Sequence, residues 1–336
     1  IATSSRFLQT EFRVSAPAHS WEEACRLAAQ CDYVLFSPLF DSVSKSGYRG
    51  AIDPAEVCQL LRRYHDGNMI ALGGITLQNI SLARAAAFDG VAAIGSIWKL
   101  DSTGAIDVSR TRLAYQRLTR RWQAAGGTLQ FISDGTLATV EAYLKGGGRW
   151  VQLRMKETPA ETIITRGKTL LPLCHQYGAL LIVNDDPQLA AAIGADGVHL
   201  GQSDMAPDDA RKLLGERAII GCTANTFEQI QKIAQSSADY IGLGPFRYTT
   251  TKKNLAPLLG VEGYTRIMQQ MAEAGIWLPL VAIGGITLED VPQIMACGVN
   301  GLAISGSISH AADVTSTTAQ FVTKIAQHRT VIMPKS

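Results

Sequence analysis

The sequence lacks paired cysteines, an excess of charge of either sign and a long apolar run. Its six cysteines are scattered with no Cys-x-x-Cys pair, which argues against a disulfide framework and a zinc site and favours reduced thiols in a cytoplasmic protein. The 31 basic and 29 acidic residues leave a net charge of +2, so we expect no nucleic-acid partner. No stretch approaches the ~20 apolar residues that span a bilayer, so we expect no membrane partner.

The first residues lack the features of a signal peptide. Residues Ile1–Arg6 have neither a charged n-region nor an apolar core. Because the first residue is Ile rather than Met, we expect that upstream sequence is missing. Hydrophobic residues make up 46% of the 336 and charged residues 18%, a composition that can bury a large core and argues against disorder.

An internal repeat organises the chain. Three pairs of segments match in the same order: Cys31–Phe40 with Ala238–Phe246, Ile70–Leu77 with Val281–Leu288, and Gly90–Ile97 with Gly301–Ile308. Residues 1–123 therefore correspond to the second half of the segment 124–336.

The longer segment alternates short apolar runs with amphipathic stretches. The runs that predict strands are 128–133, 150–154, 180–184, 197–200, 219–223, 239–244, 278–283 and 301–305. Buried parallel strands have this near-continuous apolar character, and helical periodicity lies between them. Eight such units predict an α/β protein with a complete (β/α)8 TIM barrel at 124–336.

The shorter segment, 1–123, holds about four units, which are equivalent to strands five to eight and predict a partial barrel of the same superfamily. Four strands cannot close a barrel, and an open parallel sheet exposes its edges. We expect the missing half to precede Ile1 in the natural protein; the alternative is that this segment docks on another structure. Asp107–Gln123 is predicted to be its last helix and Ala124–Gly127 the junction.

Catalytic groups of a (β/α)8 barrel lie at the carboxyl ends of its strands. Gln152, Arg154 and Lys156 follow the second apolar run and share one face of an extended strand. A guanidinium and an ammonium on one face suit phosphate oxygens. The alternative is a solvated strand end with two surface cations.

Two carboxylates follow neighbouring strands. Asp185 follows the third run and Asp204 the fourth, and together they predict a Mg²⁺ site, since this ion takes one or two carboxylates and completes its shell with water and phosphate oxygens. We assign Asp186, directly before Pro187, to capping the next helix.

Other polar groups indicate further anion binding. The loop after the sixth run contains Thr249, Thr251 and Lys252, and glycines follow the seventh and eighth runs at the positions where barrels commonly bind phosphate. We find no Ser-His-Asp set and no acid–base carboxylate pair in the sequence. That absence fits a reaction in which diphosphate departs and the nucleophile already carries a lone pair.

These residues together resemble thiamine phosphate synthase over the whole of 128–336. The matching motifs are Gln152-Leu-Arg-x-Lys156, Asn184-Asp185, Gly201-Gln-x-Asp204, Thr249-x-Thr251-Lys252, Gly284-Gly-Ile286 and Ser305-Gly306. The resemblance implies a transferase that joins an aminopyrimidine diphosphate to a thiazole phosphate, giving thiamine phosphate and diphosphate. Its partners would be these small substrates, and a homo-oligomer is left open.

The resemblance also implies a role for each site residue. The pyrimidine diphosphate would be bound by Gln152, Arg154, Lys156, Asn184, Thr223 and Lys252, of which Arg154, Lys156 and Lys252 would stabilise the leaving diphosphate. Mg²⁺ would be held by Asp185 and Asp204, and the thiazole phosphate by Thr249, Thr251, Gly285, Ser305 and Gly306. Thr223 stands where the family often has Ser, and Arg247 is a nearby charge without a role.

The shorter segment resembles a related group, the thiazole tautomerases. His19 matches the position of that group's catalytic histidine, and an imidazole can move a proton near neutral pH. Pro17 replaces the hydroxyl of Thr223, so we expect no diphosphate transfer by this segment. This resemblance leaves two alternatives to a synthase alone: a bifunctional fusion, or a tautomerase whose second barrel has decayed. A third alternative is a non-catalytic phosphate sensor, because barrels host many functions.

Overall fold

The computed structural model describes residues 13–41, 68–247 and 258–328. The chain divides into two compact units, with the boundary between Trp122 and Gln123. No helix in the described part of the chain is long and apolar enough to cross a membrane.

The second unit is a closed barrel of eight parallel strands. Its strands are β5 (Leu129–Ser133), β6 (Trp150–Leu153), β7 (Leu180–Asn184), β8 (Gly197–Leu200), β9 (Ile219–Ala224), β10 (Tyr240–Leu243), β11 (Leu280–Ile283) and β12 (Gly301–Ile304). The sheet closes where β12 pairs with β5. The predicted TIM barrel and all eight of its strands are confirmed.

Helices follow the strands of this barrel. They are α4 (Leu137–Lys145), α5 (Ala160–Gln176), α6 (Pro187–Ile193), α7 (Pro207–Leu214), α8 (Phe227–Ala234), α9 (Gly260–Glu273), α10 (Val291–Ala296), α11 (Gly306–Ser309) and α12 (Val314–His328). The Asp186 side chain accepts hydrogen bonds from the backbone N–H groups of Gln188 and Leu189 at the start of α6, so its predicted capping role is confirmed.

Side chains alternate between the two faces of each barrel strand. Phe131, Leu181 and Leu302 belong to the large core that the strands share with the helices. The interior is filled by a smaller cluster that includes Trp150 and Tyr240, whose rings meet edge to face with centroids 4.7 Å apart. The interior is therefore packed, and any ligand must bind at an end of the barrel.

The first unit contains an open sheet of four parallel strands in the order β1-β2-β3-β4. The strands are β1 (Ser15–Ala18), β2 (Tyr33–Phe36), β3 (Asn68–Leu72) and β4 (Gly90–Ala92), and the helices are α1 (Trp21–Ala28), α2 (Ile80–Ala85) and the part of α3 (Val108–Gly126) up to Trp122. Four parallel strands are what the predicted partial barrel requires.

The helix predicted at Asp107–Gln123 continues to Gly126 and so includes most of the predicted junction Ala124–Gly127. Ala124 and Ala125 are completely buried, and Ala124 packs in the same cluster as Trp150. Alanine favours helix, and burial adds packing that a linker would lack. Gly127 ends the helix where a Cβ atom would overlap the Trp150 ring.

Candidate functional site

Several predicted site residues lie together at the carboxyl ends of the barrel strands. Arg154 directly follows β6, Asn184 ends β7, and Thr223 lies near the end of β9. The Arg154 backbone N–H donates to the Ser133 carbonyl at 2.8 Å, which holds the chain beyond β6 against the end of β5. Adjacent parallel strands thus deliver these polar groups to one end of the barrel.

Asp185 and Asp204 form the acidic centre of this end. The Asp185 backbone has a φ of +68° and its N–H donates to the His199 carbonyl at 2.7 Å. Partial desolvation, followed by the charge of Asp204 and a hydrogen bond to it, raises the pKa of Asp185, and Arg154 and Asn184 act in the opposite direction. The four side chains that the sequence assigned to one site therefore do interact.

The oxygen chemistry of this pair fits Mg²⁺. The Asp204 carboxylate is fixed by the Gly201 N–H at 2.6 Å, and two neighbouring carboxylates repel each other unless a proton or cation lies between them. Within the described residues no group of three or more His, Cys, Asp or Glu side chains could hold a metal ion. Mg²⁺ needs only one or two carboxylates when water and substrate phosphate complete its octahedron.

Gln152 and Lys156, predicted to share a face with Arg154, lie at different depths. Gln152 is buried in the barrel interior, level with Ile132 and Ile182 on the neighbouring strands. Lys156 is exposed beyond the end of β6. The three side chains thus run from the interior to the solvent rather than forming one flat surface, and their roles stay predictions.

A series of hydrogen-bonded side chains leads from the barrel interior to Thr223. His199 Nε2 lies 3.0 Å from Thr223 Oγ1, and His199 Nδ1 lies 2.9 Å from the Tyr240 hydroxyl. Gln130 Nε2 donates to that hydroxyl at 3.2 Å. Sequence reasoning did not single out His199. The available signal was a histidine in an otherwise apolar strand, together with the period-two alternation that points it inward.

One hydrogen bond joins the loop after β12 to the loop after β11, and another joins it to β5. Ser305 Oγ donates to the Ile132 carbonyl at 2.9 Å, and Ser307 Oγ donates to the Ile286 carbonyl at 2.7 Å. Gly306 begins the short helix α11, and Gly285 adopts a φ of +63°. The backbone of both loops is thereby fixed where the sequence predicted a phosphate site.

Arg247 supports the loop after β11. Its guanidinium donates to the Gly285 carbonyl at 3.3 Å and to Asp290 Oδ1 at 2.7 Å. Burial alone would raise the pKa of Asp290, but hydrogen bonds from the Thr287 backbone N–H and from Arg247 outweigh it and lower that pKa. Arg247, left without a role by the sequence, therefore positions Gly285.

Three predicted site residues, Thr249, Thr251 and Lys252, lie outside the described residues. In the first unit the sequence Ser42-Val43-Ser44-Lys45 corresponds to Thr249-Thr250-Thr251-Lys252 in the repeat, and it too lies outside the described residues.

The first unit places His19 where the barrel places Asn225. The Asn225 side chain donates to the Gly244 carbonyl, and its backbone N–H donates to Gln229 at 2.7 Å. In the same way His19 Nδ1 lies 2.7 Å from the Ser37 carbonyl, and the His19 N–H donates to Glu23 at 2.9 Å. The repeat seen in the sequence is thus also a repeat of hydrogen bonds.

Comparison with known proteins places this chain in a family. A family model described as thiamine monophosphate synthase matches residues 1–97 and 128–308. The thiamine-phosphate synthase of Bacteroides thetaiotaomicron is 51% identical over 200 residues, which are 58% of this chain and 96% of that protein. That of Bacteroides fragilis strain ATCC 25285 is 52% identical over 191 residues, 55% of this chain and 94% of that protein.

A solved structure is also similar. Thiamine phosphate pyrophosphorylase from Pyrococcus furiosus has 30% sequence identity and a TM-score of 0.54, over 59% of this chain and 95% of that one. The predicted resemblance is confirmed, whereas the narrower likeness of residues 1–123 to the tautomerase group stays a prediction. Because the family model matches well over half of its residues, the chain belongs to the thiamine monophosphate synthase family.

Proposed function

We propose that the chain is a thiamine phosphate synthase, a transferase that joins an aminopyrimidine diphosphate to a thiazole phosphate and releases diphosphate. The observation that carries this function is the acidic pair Asp185–Asp204 beside Arg154 at the open end of a closed barrel. A cation site next to a guanidinium suits a diphosphate, which carries several negative charges. The substrates are small and water-soluble, and we infer a cytoplasmic location from them.

The residues at this end would act on the leaving group. Asp185 and Asp204 would hold Mg²⁺, which supplies positive charge to the diphosphate oxygens. Arg154, with Lys156 and Lys252, would bind the same oxygens and stabilise the charge that grows on them. Asn184 and Thr223 would orient the pyrimidine diphosphate, and Gln152 would contribute from the barrel interior.

The reaction balances without a general base. The bond between the pyrimidine methylene carbon and the diphosphate oxygen breaks, and its electron pair leaves with diphosphate. The electron-rich aminopyrimidine tolerates the positive methylene carbon, and the thiazole nitrogen then forms the new C–N bond with its lone pair. This chemistry needs positioning and electrostatic stabilisation from the protein.

The thiazole phosphate would bind at the opposite side of the opening. The backbone of Gly285, Ser305 and Gly306 lies in two loops held by hydrogen bonds, and such N–H groups suit a phosphate. Thr249 and Thr251 would add hydroxyl groups. The two anion sites would hold the methylene carbon and the thiazole nitrogen close together.

The test is product formation by the full chain with both substrates and Mg²⁺. We expect thiamine phosphate and diphosphate in equal amounts, and loss of both products in Asp185→Asn and in chelator. Asp186→Asn is the matched control, because Asn is as good a helix cap as Asp and should leave turnover unchanged. Turnover that survives both Asp185→Asn and chelation would refute the metal site, and no product from folded wild-type protein would refute the synthase.

A second candidate function, thiazole tautomerisation by the first unit, is supported by one observation. The 2.7 Å contact between His19 Nδ1 and the Ser37 carbonyl places a proton on Nδ1, since a carbonyl only accepts. Nε2 of a neutral ring is then the proton acceptor. His19→Asn copies the hydrogen bonds of Asn225 and removes the imidazole ring, so it should abolish tautomerisation and leave the synthase reaction unchanged. Tautomerisation by this variant at the wild-type rate would exclude His19.

A further inference from the structure

His199 is a buried titratable residue that the proposed chemistry does not use. It lies in β8, only 7% exposed, between the fully buried Tyr240 and the half-buried Thr223. Its two ring nitrogens contact these two hydroxyl groups at 2.9 and 3.0 Å. Of the two, Thr223 is the one at the open end of the barrel. The chain of contacts therefore connects the interior to the site.

The direction of these hydrogen bonds follows from the groups at the buried end. Burial raises the pKa of Tyr240 above its ordinary value, so the phenol keeps its proton, and hydrogen bonds from Gln130 and Gln152 to the phenol oxygen only partly oppose this. An oxygen that accepts from the Gln130 amide at 3.2 Å has its own proton left to donate. His199 Nδ1, 2.9 Å away, accepts that proton.

The tautomer of His199 then decides what Thr223 can do. If Nδ1 accepts, the neutral ring carries its proton on Nε2, and Nε2–H donates to Thr223 Oγ1 across 3.0 Å. The Thr223 oxygen thereby accepts a hydrogen bond from His199 on the interior side, and its own proton is available to a ligand. Consecutive hydrogen bonds of one direction polarise one another and strengthen the last donor.

The two rings of this hydrogen-bonded series pack closely against the backbone of neighbouring strands. A Cβ atom at Gly221 would lie 2.0 Å from Tyr240 Cζ, and one at Gly242 would lie 2.8 Å from His199 Cε1. The two rings thus occupy space that glycines on neighbouring strands leave open. Gln202 also donates to the Thr223 carbonyl. Both rings are buried and hydrogen-bonded, so the Thr223 hydroxyl has a fixed partner before a ligand binds.

We propose that Tyr240 and His199 are positioning residues that orient the Thr223 hydroxyl as a hydrogen-bond donor to an anionic oxygen of the bound diphosphate group. The proposal rests on the proposed function for the identity of that group. Its central element, a neutral His199 with the proton on Nε2, is a property of the protein without substrate.

The first experiment is ¹⁵N NMR of histidine-labelled full-length protein at pH 7.5 without ligand, with the His199 signals assigned by their loss in His199→Gln. We expect an unprotonated Nδ1 and a protonated Nε2. A proton on Nδ1, or a doubly protonated ring, would overturn the proposal whether or not the protein turns over substrate.

The second experiment compares Tyr240→Phe with Tyr143→Phe. Tyr143 is equally buried in the same barrel, and its hydroxyl donates to the Leu129 and Trp150 carbonyls at 2.7 and 3.1 Å with no connection to Thr223. We expect Tyr240→Phe to lower kcat about tenfold with less effect on KM, below the ~100-fold cost of removing a donor to a developing charge. Tyr143→Phe should leave both constants unchanged. Equal effects in the two variants would indicate a structural role and overturn the proposal.

A double-mutant cycle isolates the action through Thr223. In Thr223→Val the hydroxyl is replaced by a methyl of similar shape, so adding Tyr240→Phe should cause no further loss. Additive losses would overturn the proposal. Inorganic diphosphate carries the charge that develops on the leaving group, so calorimetric titration with Mg²⁺ and inorganic diphosphate gives a reading without turnover: we expect about tenfold weaker binding of this product in Tyr240→Phe. Wild-type protein that makes no thiamine phosphate would refute the proposed function alone, since the tautomer and the diphosphate affinity still decide this inference.

Discussion

Replacing Gly284 by Ala tests how tightly the loop after β11 is packed. Gly284 has a φ of +104°, which L-residues rarely adopt, and a Cβ atom there would lie 2.8 Å from Pro245 Cβ and 2.9 Å from Pro245 Cα. The backbone N of Phe246 would be 3.2 Å away. Because these neighbours are largely backbone, they cannot rotate aside, and the two segments must separate.

The expected loss of stability has two parts. Holding an alanine in this region of backbone space costs about 1–3 kcal/mol, and forcing the packed segments apart costs about another 1–3 kcal/mol. Gly275→Ala provides the control, because Gly275 has a φ of +65° and nothing within 4 Å of its Cβ position. It should lose only a backbone cost, about 1–2 kcal/mol in the left-handed helical region. The lower entropy of an unfolded alanine stabilises both variants and cancels in the comparison.

Urea unfolding of the full chain, followed by circular dichroism, measures the difference. We expect Gly284→Ala to unfold at a lower urea concentration than Gly275→Ala, by the equivalent of about 1–3 kcal/mol. Binding of the thiazole phosphate should also weaken in Gly284→Ala, because Gly285 moves with the loop. Indistinguishable midpoints for the two variants would refute the packing argument.

Two further predictions concern charge. In the folded protein the pKa of Asp290 is lowered, so its ion pair with Arg247 stabilises the protein above the ordinary carboxyl pKa of about 4 and loses that effect as pH falls through the lowered value. Arg247→Leu should therefore cost about 1 kcal/mol at pH 7 and progressively less in acid; a cost independent of pH between 7 and 3 would contradict this. The pKa of Asp185 is raised, so the metal-free protein loses stability as pH rises through that value. Asp204→Asn, which keeps an oxygen for the Gly201 N–H, should raise the Tm in chelator and abolish any Mg²⁺-induced rise; a lower Tm in chelator would disprove the repulsion.

Most of the fold was predictable from local sequence. Strands buried on both faces are continuous apolar runs, so the eight runs of residues 128–305 coincide with the eight barrel strands to within a residue or two. The Asp186-Pro187 pair marked a helix start by its own chemistry. The repeat was legible because the two copies keep the same residues at the strand ends.

The helical conformation of Ala124–Gly126 depends on residues outside this segment. The run Ala124–Gly127 reads as a linker when only its small side chains are considered. The helix continues because Ala124 and Ala125 are buried in the fold, and Ala124 packs in the same cluster as Trp150. Burial of an apolar face, rather than propensity, decides where such a helix ends.

The site divides in the same way. The proximity of Asp185, Asp204 and Arg154 could be predicted from the sequence, because parallel strands carry the residues that follow them to one end of the barrel. The burial of Gln152 in the barrel interior and the hydrogen bond from Arg247 to Gly285 could not be predicted, since each depends on residues distant in sequence.

The sequence by itself determined the barrel, the polar residues that follow each strand and the anionic character of the expected ligands. These follow from the order of apolar and charged residues along the chain. Only the tertiary structure decided that His199 joins Tyr240 to Thr223, across three different strands. Which glycine leaves room for which ring, and hence which nitrogen carries the proton, is set by packing between strands and has no counterpart in any local pattern.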